Sequence, residues 1–316
     1  MKTGFTPETN VDKFLRLYAE GKRDFQKINL RKAYLAEADL KGANLEEANL
    51  QGAYLFGINL PEVNLRGANL RNADLSEAFL EGANLEEANL QGAYLIGTGL
   101  SMANLQGVNL RQARLLEVRD LSMANMRGAN LQNADLDRVN LEKTDLQGVN
   151  LKQAYLKIAR LFDADLSGAE LQDTLLQSAF YNEKTRFPEG FDPVKAGMYL
   201  IAPKVKLSQA YLVEALLFEV DMSGVDLSEA QLRYARLEKA NLQGANLKGA
   251  SLDGAELKDT NLTNADLTGV DLSFVDLSST IIVDTKLQNS HYNRFTKFPP
   301  DFDPVSAGMV WVDVEK

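Results

Sequence analysis

Along most of this chain an apolar residue, usually Leu, returns every five positions, and a small residue stands two places before it. The pattern runs from Phe25 and Leu30 through Leu115, resumes from Leu121 through Leu176 to Tyr181, and returns from Leu207 through Leu287 to Tyr292. Ala43, Ala48, Ala53, Val63 and Ala68 illustrate the small partner, with Thr or Ile as variants. The three remaining places hold mainly Asn, Asp, Glu, Gln, Arg, Lys, Ser and Gly, as in Ala43-Asn44-Leu45-Glu46-Glu47. A period of five fits neither regular element. At about 100° per residue the leucines would spiral round a helix, and in a flat strand they would alternate faces. A corner must therefore recur in every pentad. A short strand pointing Leu and its small partner inward, followed by a turn of polar residues, meets that need, and several such sides close into a coil.

The A-(D/N)-L-x-x pattern resembles the pentapeptide-repeat family over most of the chain. That resemblance implies an all-β solenoid, a right-handed quadrilateral parallel β-helix with four pentads per coil. The repeat itself agrees: Gly42 to Tyr54 and Gly82 to Tyr94 are the same thirteen residues offset by 40, which is two coils of twenty. Residues 23–183 then form a first β-helix of about eight coils and about 38 Å, and residues 205–294 a second of about four and a half coils and about 22 Å, at ~4.8 Å between stacked strands. The segment 118–123 has one residue too many and shifts the leucine register, which reads as a bulge at a corner.

A solenoid exposes strand edges and an open core at its ends, so caps are expected. Residues 1–22 are read as an N-terminal helical cap, with Asn10 as N-cap, an apolar stripe of Val11, Phe14, Leu15, Leu17 and Tyr18, and Gly21 as terminator. Two matching endings follow the two arrays. Tyr181-Asn182 leads to Phe187-Pro188 and Phe191-Asp192-Pro193-Val194, then Ala196-Gly197-Met198. Tyr292-Asn293 leads to Phe298-Pro299 and Phe302-Asp303-Pro304-Val305, then Ala307-Gly308-Met309. Residues 184–204 are assigned as cap and linker, and 295–316 as the C-terminal cap. In each, Asp-Pro suits the N-cap and first position of a short helix whose Phe, Met and Val cover the last coil.

Because residues twenty apart stack, outward positions sort onto four faces. One face of the first array gathers Tyr34, Tyr54, Tyr94 and Tyr155 beside Phe56, Ile96, Leu116 and Ile158, with Phe79, Met102 and Phe162 near the shared edge. The second array places Tyr211, Val213, Tyr234 and Phe274 outward, with Leu216 and Phe218 alongside. Apolar residues on one side of a rigid rod mark a candidate partner-binding face. Its members are Tyr34, Tyr54, Phe56, Tyr94, Ile96, Leu116, Tyr155, Ile158, Tyr211, Tyr234 and Phe274. A neighbouring face carries Arg31, Lys32, Arg71, Arg111 and Lys152 with no acid until Glu170 and Asp173, while Glu46, Glu47, Glu86 and Glu87 lie elsewhere.

Composition narrows the chemistry. With no cysteine and a single histidine, His291, the chain has neither thiolate chemistry nor a multi-histidine metal cluster. Phosphate loops, nucleophile elbows and paired-histidine motifs do not appear, and carboxylates on a convex rod do not converge in a pocket. We therefore expect no catalytic, cofactor-binding or metal-binding residues. A net charge of −10 opposes bulk attraction to nucleic acid or anionic membrane. Neither a signal-peptide pattern nor an apolar run of ~18 residues occurs, so the cytoplasm is the expected compartment. The reading that follows is a non-enzymatic interaction scaffold for an unidentified protein partner, with a monomer favoured. The resemblance adds an alternative, an acidic DNA mimic that binds DNA gyrase or topoisomerase. A self-associating structural or regulatory protein is the third.

Overall fold

The computed structural model describes residues 10–116, 118 and 120–312. Two compact units divide the chain: Met1–Ala179 with Lys184–Ala196, and Phe180–Glu183 with Gly197–Lys316. Each is built from single parallel bridges between residues one coil apart. Asn44 pairs with Asn64, Asn64 with Asn84 and Asn84 with Asn104 in the first unit, and Asp226 pairs with Asn246 and Asn246 with Asp266 in the second. The period of five thus closes at twenty.

The corners follow from the pentad chemistry. The Ala33 N–H donates to the Leu30 carbonyl at 3.0 Å, closing a turn over Arg31 and Lys32. The second corner residue takes a left-handed backbone, φ 56° at Lys32 and 69° at Gly42, which explains the glycines there. Asn before the leucine serves two ends at once. Asn44 Oδ1 accepts the Glu46 N–H at 3.2 Å, fixing the corner, and also accepts from Asn64 Nδ2 at 3.0 Å, tying one coil to the next. Inside, Ala48, Leu65, Ala83 and Leu85 are fully buried, as are Leu212, Ala230 and Leu232 in the second unit. Thr at the small position is satisfied rather than orphaned: the Thr98 hydroxyl donates to the Leu75 carbonyl at 2.8 Å, and Thr260 to Leu237 at 2.7 Å.

The extra residue is visible as a change of offset. Tyr94 pairs with Arg114 twenty residues on, but Gly99 pairs with Asp120 and Asn104 with Asn125, twenty-one on, before Asn125 returns to Asp145. Val118 still closes its turn to Leu115 at 3.1 Å and stays buried; part of segment 118–123, Arg119, lies outside the described residues.

Helix α1 spans Asn10–Ala19. The N-cap expected at Asn10 is not found there, since Asn10 is already helical and the residue before it lies outside the described ones. Its end is a Schellman turn: Gly21 at φ 96° lets the Lys22 N–H reach the Leu17 carbonyl at 3.0 Å. Phe14, the buried residue of the helix, meets Phe25 edge-on at 4.6 Å, and the Tyr18 hydroxyl donates to the Lys41 carbonyl at 2.9 Å. Leu15, placed in the apolar stripe by sequence, is exposed.

The repeated endings differ from expectation in one respect. Strand β1 (Phe180–Tyr181) pairs in parallel with β2 (Tyr199–Leu200), and β3 (His291–Tyr292) with β4 (Val310–Trp311). Between them, no helix forms at either Asp-Pro. Asp192 Oδ1 accepts the Val194 and Lys195 N–H groups at 3.1 Å, and the Ala196 N–H reaches the Asp192 carbonyl at 3.1 Å, but Gly197 at φ 77° ends the structure after one turn. Asp303 repeats this with Val305 and Ala307, and Gly308 at φ 76°. Met198 and Met309 are buried and Phe187–Phe191 and Phe298–Phe302 stack at 5.2 Å, whereas Val194 and Val305 point to solvent instead of covering a coil.

Candidate functional site

The tyrosine rungs of the first unit form one ladder: Tyr34, Tyr54, Asp74, Tyr94, Arg114, Asp135, Tyr155 and Leu175 pair in succession. All four tyrosines sit at the residue before the inward leucine, where alternation along the strand turns the side chain outward. Their exposures run from 39% at Tyr54 to 71% at Tyr34. Tyr34 and Tyr54 stack at 5.1 Å, and Tyr54 lies near Phe56 at 6.3 Å. Asp74 then interrupts the aromatics, Tyr94 is met by the Arg114 guanidinium at 5.1 Å, and Tyr155 stands exposed beyond Asp135. The predicted column is therefore three aromatic stations rather than a continuous stack.

Along the next corner Phe56, Ile96 and Leu116 are half-buried, two and then one coil apart. Asp137 continues that edge, and burial pushes its carboxyl above the ordinary range against a 2.7 Å hydrogen bond from the Lys157 N–H. Ile158 is half-buried at the left-handed corner, φ 60°, an unusual place for a β-branched residue. Phe79 and Met102 are exposed near this side as expected, but Phe162 is not: it is buried beneath the Arg160 guanidinium, 4.5 Å away. Arg160 is itself buried and bound to Glu142 at 2.7 Å. Burial acts to raise Glu142, and its bonds to Lys143 and Arg160 outweigh that and hold it low.

In the second unit the candidate residues are placed differently. Tyr211 occupies a strand rung and is exposed, with its N–H donated to the Tyr199 hydroxyl at 3.3 Å. Tyr234 and Phe274 instead occupy left-handed corners, φ 57° and 64°. The Tyr234 ring lies across Gly254, and Phe274 stacks on Phe295 at 5.1 Å. Phe295 was not singled out from sequence, because it falls after the last pentad where the period gives no address. Val213, Leu216 and Phe218 are half-buried, the last under Arg236 at 5.3 Å.

The cationic residues also fall into order. Arg31, Gln51, Arg71, Gln91, Arg111, Gln132 and Lys152 occupy the same corner position on successive coils, on the edge that precedes the tyrosine strand. Among the described residues no group of three or more His, Cys, Asp or Glu is arranged to hold a metal, and no helix is long and apolar enough to cross a membrane.

A β-helix of five-residue sides with outward ladders defines a class of repeat proteins, and comparison supplies the family. The Pentapeptide repeats family matches over residues 24–61, 48–86, 64–101, 78–112, 124–157, 230–269 and 255–291, more than half of the chain, and the protein belongs to it. Its fold is accordingly the right-handed β-helix of that family. Among solved structures the chain is similar to HetL, a pentapeptide repeat protein involved in heterocyst differentiation regulation from Nostoc sp. strain PCC 7120, at 36% identity over 81% of this chain and 96% of HetL, with a TM-score of 0.35. It is also similar to alr5209 from Nostoc PCC 7120, at 26% identity over 62% of this chain and 99% of that one, TM-score 0.15. Full-length QnrB1, a plasmid-mediated fluoroquinolone resistance protein, is 16% identical over 56% of this chain and 91% of its own, TM-score 0.43. No curated protein matches the chain.

Proposed function

We propose that the chain is a non-enzymatic scaffold whose tyrosine side in the first unit docks a protein partner. The observation that carries this reading is that Tyr34, Tyr54, Tyr94 and Tyr155 remain well exposed on a regular strand ladder, bordered by the half-buried apolar edge of Phe56, Ile96 and Leu116. Tyrosine suits an interface because it offers a large amphipathic surface at small entropic cost. Family membership supplies the fold and not the partner. Tyr234 and Phe274 are left out of the docking face, since they occupy left-handed corners of the second unit and not rungs of this ladder.

The test is a double variant, Tyr54→Glu with Tyr94→Glu, used as bait beside the wild type in lysate of the source organism. Both changes fall on solvated rungs, so the coil should keep its circular dichroism while the partner is lost. Retention of the same partner by the folded variant would sink the reading.

A further inference from the structure

The cationic edge of the first unit has a period of its own. Arg31, Arg71, Arg111 and Lys152 stand two coils apart, with Gln51, Gln91 and Gln132 on the coils between. The inserted residue does not disturb the order, because Asn109 pairs with Asn130 and Asn130 with Asn150, carrying the column through the change of offset. On the strands that lead into this edge an amide ladder runs from Asn29 to Asn150, and no outward residue of these pentads is acidic before Glu170. Lys152 binds Glu170 at 2.7 Å, while among the described residues Arg31, Lys32, Arg71 and Arg111 make no ion pair. In a chain of net charge −10, this column gathers four cations two coils apart with no acid among its outward residues before Glu170.

The spacing discriminates among partners. Coils rise about 4.8 Å, so the cations recur about every 9.6 Å along the rod. A polyproline II segment rises about 3.1 Å per residue with three residues per turn, which returns a side chain to the same side every 9.3 Å or so. Over the three intervals from Arg31 to Lys152 the mismatch is about 1 Å, within the reach of an arginine side chain. An extended strand repeats a face about every 6.7 Å and falls out of register at once. Duplex DNA presents a charge about every 3.4 Å of axis on each strand, far denser than this column. We propose that this edge binds an extended acidic peptide segment in polyproline II conformation, with a carboxylate at every third residue set against Arg31, Arg71, Arg111 and Lys152. The glutamines between them meet the peptide backbone, whose carbonyls have no internal partner in that conformation. This site does not depend on the tyrosine reading.

Fluorescence anisotropy tests it with a labelled peptide of five Glu-Pro-Pro repeats titrated with the full chain. The expected result is saturable binding that strengthens as salt is lowered and weakens at least about ten-fold when Arg31, Arg71, Arg111 and Lys152 are all changed to Gln. A peptide of the same composition with its glutamates in one block should bind at least about five-fold more weakly. Equal binding of the block peptide, tighter binding of a DNA duplex, unchanged binding by the fourfold variant or no binding by the wild type would each overturn the proposal. If circular dichroism shows the fourfold variant unfolded, Arg71→Gln and Arg111→Gln made singly give the same decision through about a two-fold loss each. Loss of the captured protein in the tyrosine variant with this peptide still bound would leave the two sites separate.

Discussion

The two units present aromatics by different means. In the first, tyrosines occupy strand rungs, where an outward side chain is free of backbone strain; of the four, Tyr34 and Tyr54 stack on each other, while Tyr94 and Tyr155 stand apart on coils of their own. In the second, Tyr211 keeps a rung but Tyr234 and Phe274 occupy left-handed corners, which cost a residue with a Cβ about 1–2 kcal/mol; the Tyr234 ring lies across Gly254 on the next coil, and Phe274 stacks on Phe295 beyond the last pentad. Exposure does not separate the two sets, since Tyr234 and Phe274 at 51% and 48% are as open as Tyr54 and Tyr94 at 39% and 40%; what differs is the address, a strand rung in one unit and a corner packed against a neighbour in the other.

That contrast rests on a shared interior, and the largest effect comes from attacking it. Leu85→Ala in the first unit and Leu232→Ala in the second remove side chains with no exposure, and each should destabilise its unit by about 2–5 kcal/mol in urea titrations. Comparable losses would show the interiors to be equivalent although the surfaces differ.

A smaller effect separates the brace from an ordinary corner. At Gly254 a new Cβ would stand 2.5 Å from the Tyr234 ring, whereas at Gly128 nothing lies within 4 Å, and both have positive φ. Gly128→Ala should cost about 1 kcal/mol from backbone strain alone, and Gly254→Ala about 1–3 kcal/mol, because the ring must leave its place as well. Equal urea midpoints for the two variants would show that Tyr234 braces nothing.

The smallest effect is electrostatic and confined to the second unit. The bonds from Lys297, and then from Ser278, hold the Asp276 carboxyl at about 2, below its ordinary 3.8. A depressed carboxylate stabilises the fold above its unfolded pKa, and that contribution is lost as pH falls through the folded value. The wild type should therefore lose more stability between pH 4 and pH 2 than Asp276→Asn, measured as the change in urea midpoint. Parallel midpoints across that window would contradict the assignment. The group is half-exposed, which keeps the effect small.

Much of this was legible in the sequence because the pentad states its own geometry. Leu and its small partner name the interior, and Asn before Leu names the ladder. The four tyrosines of the first unit are exposed as expected, because strand alternation alone decides their direction, whereas Tyr234 stands at a corner. Phe162 was not: its address is outward, yet it is buried, with the Arg160 guanidinium lying over its ring. The Asp-Pro turns looked helical because the N-cap chemistry is present, but the following glycines permit a single turn. Phe295 lies beyond the last pentad and had no periodic cue.

The central claim is that the tyrosine side of the first unit is a docking surface. Its most direct test is capture from soluble lysate on the wild type and on a variant with Tyr34, Tyr54, Tyr94 and Tyr155 all changed to Ser, after circular dichroism shows both folded. The account predicts a protein retained by the wild type and absent from the variant; identical captures on the two baits would contradict it.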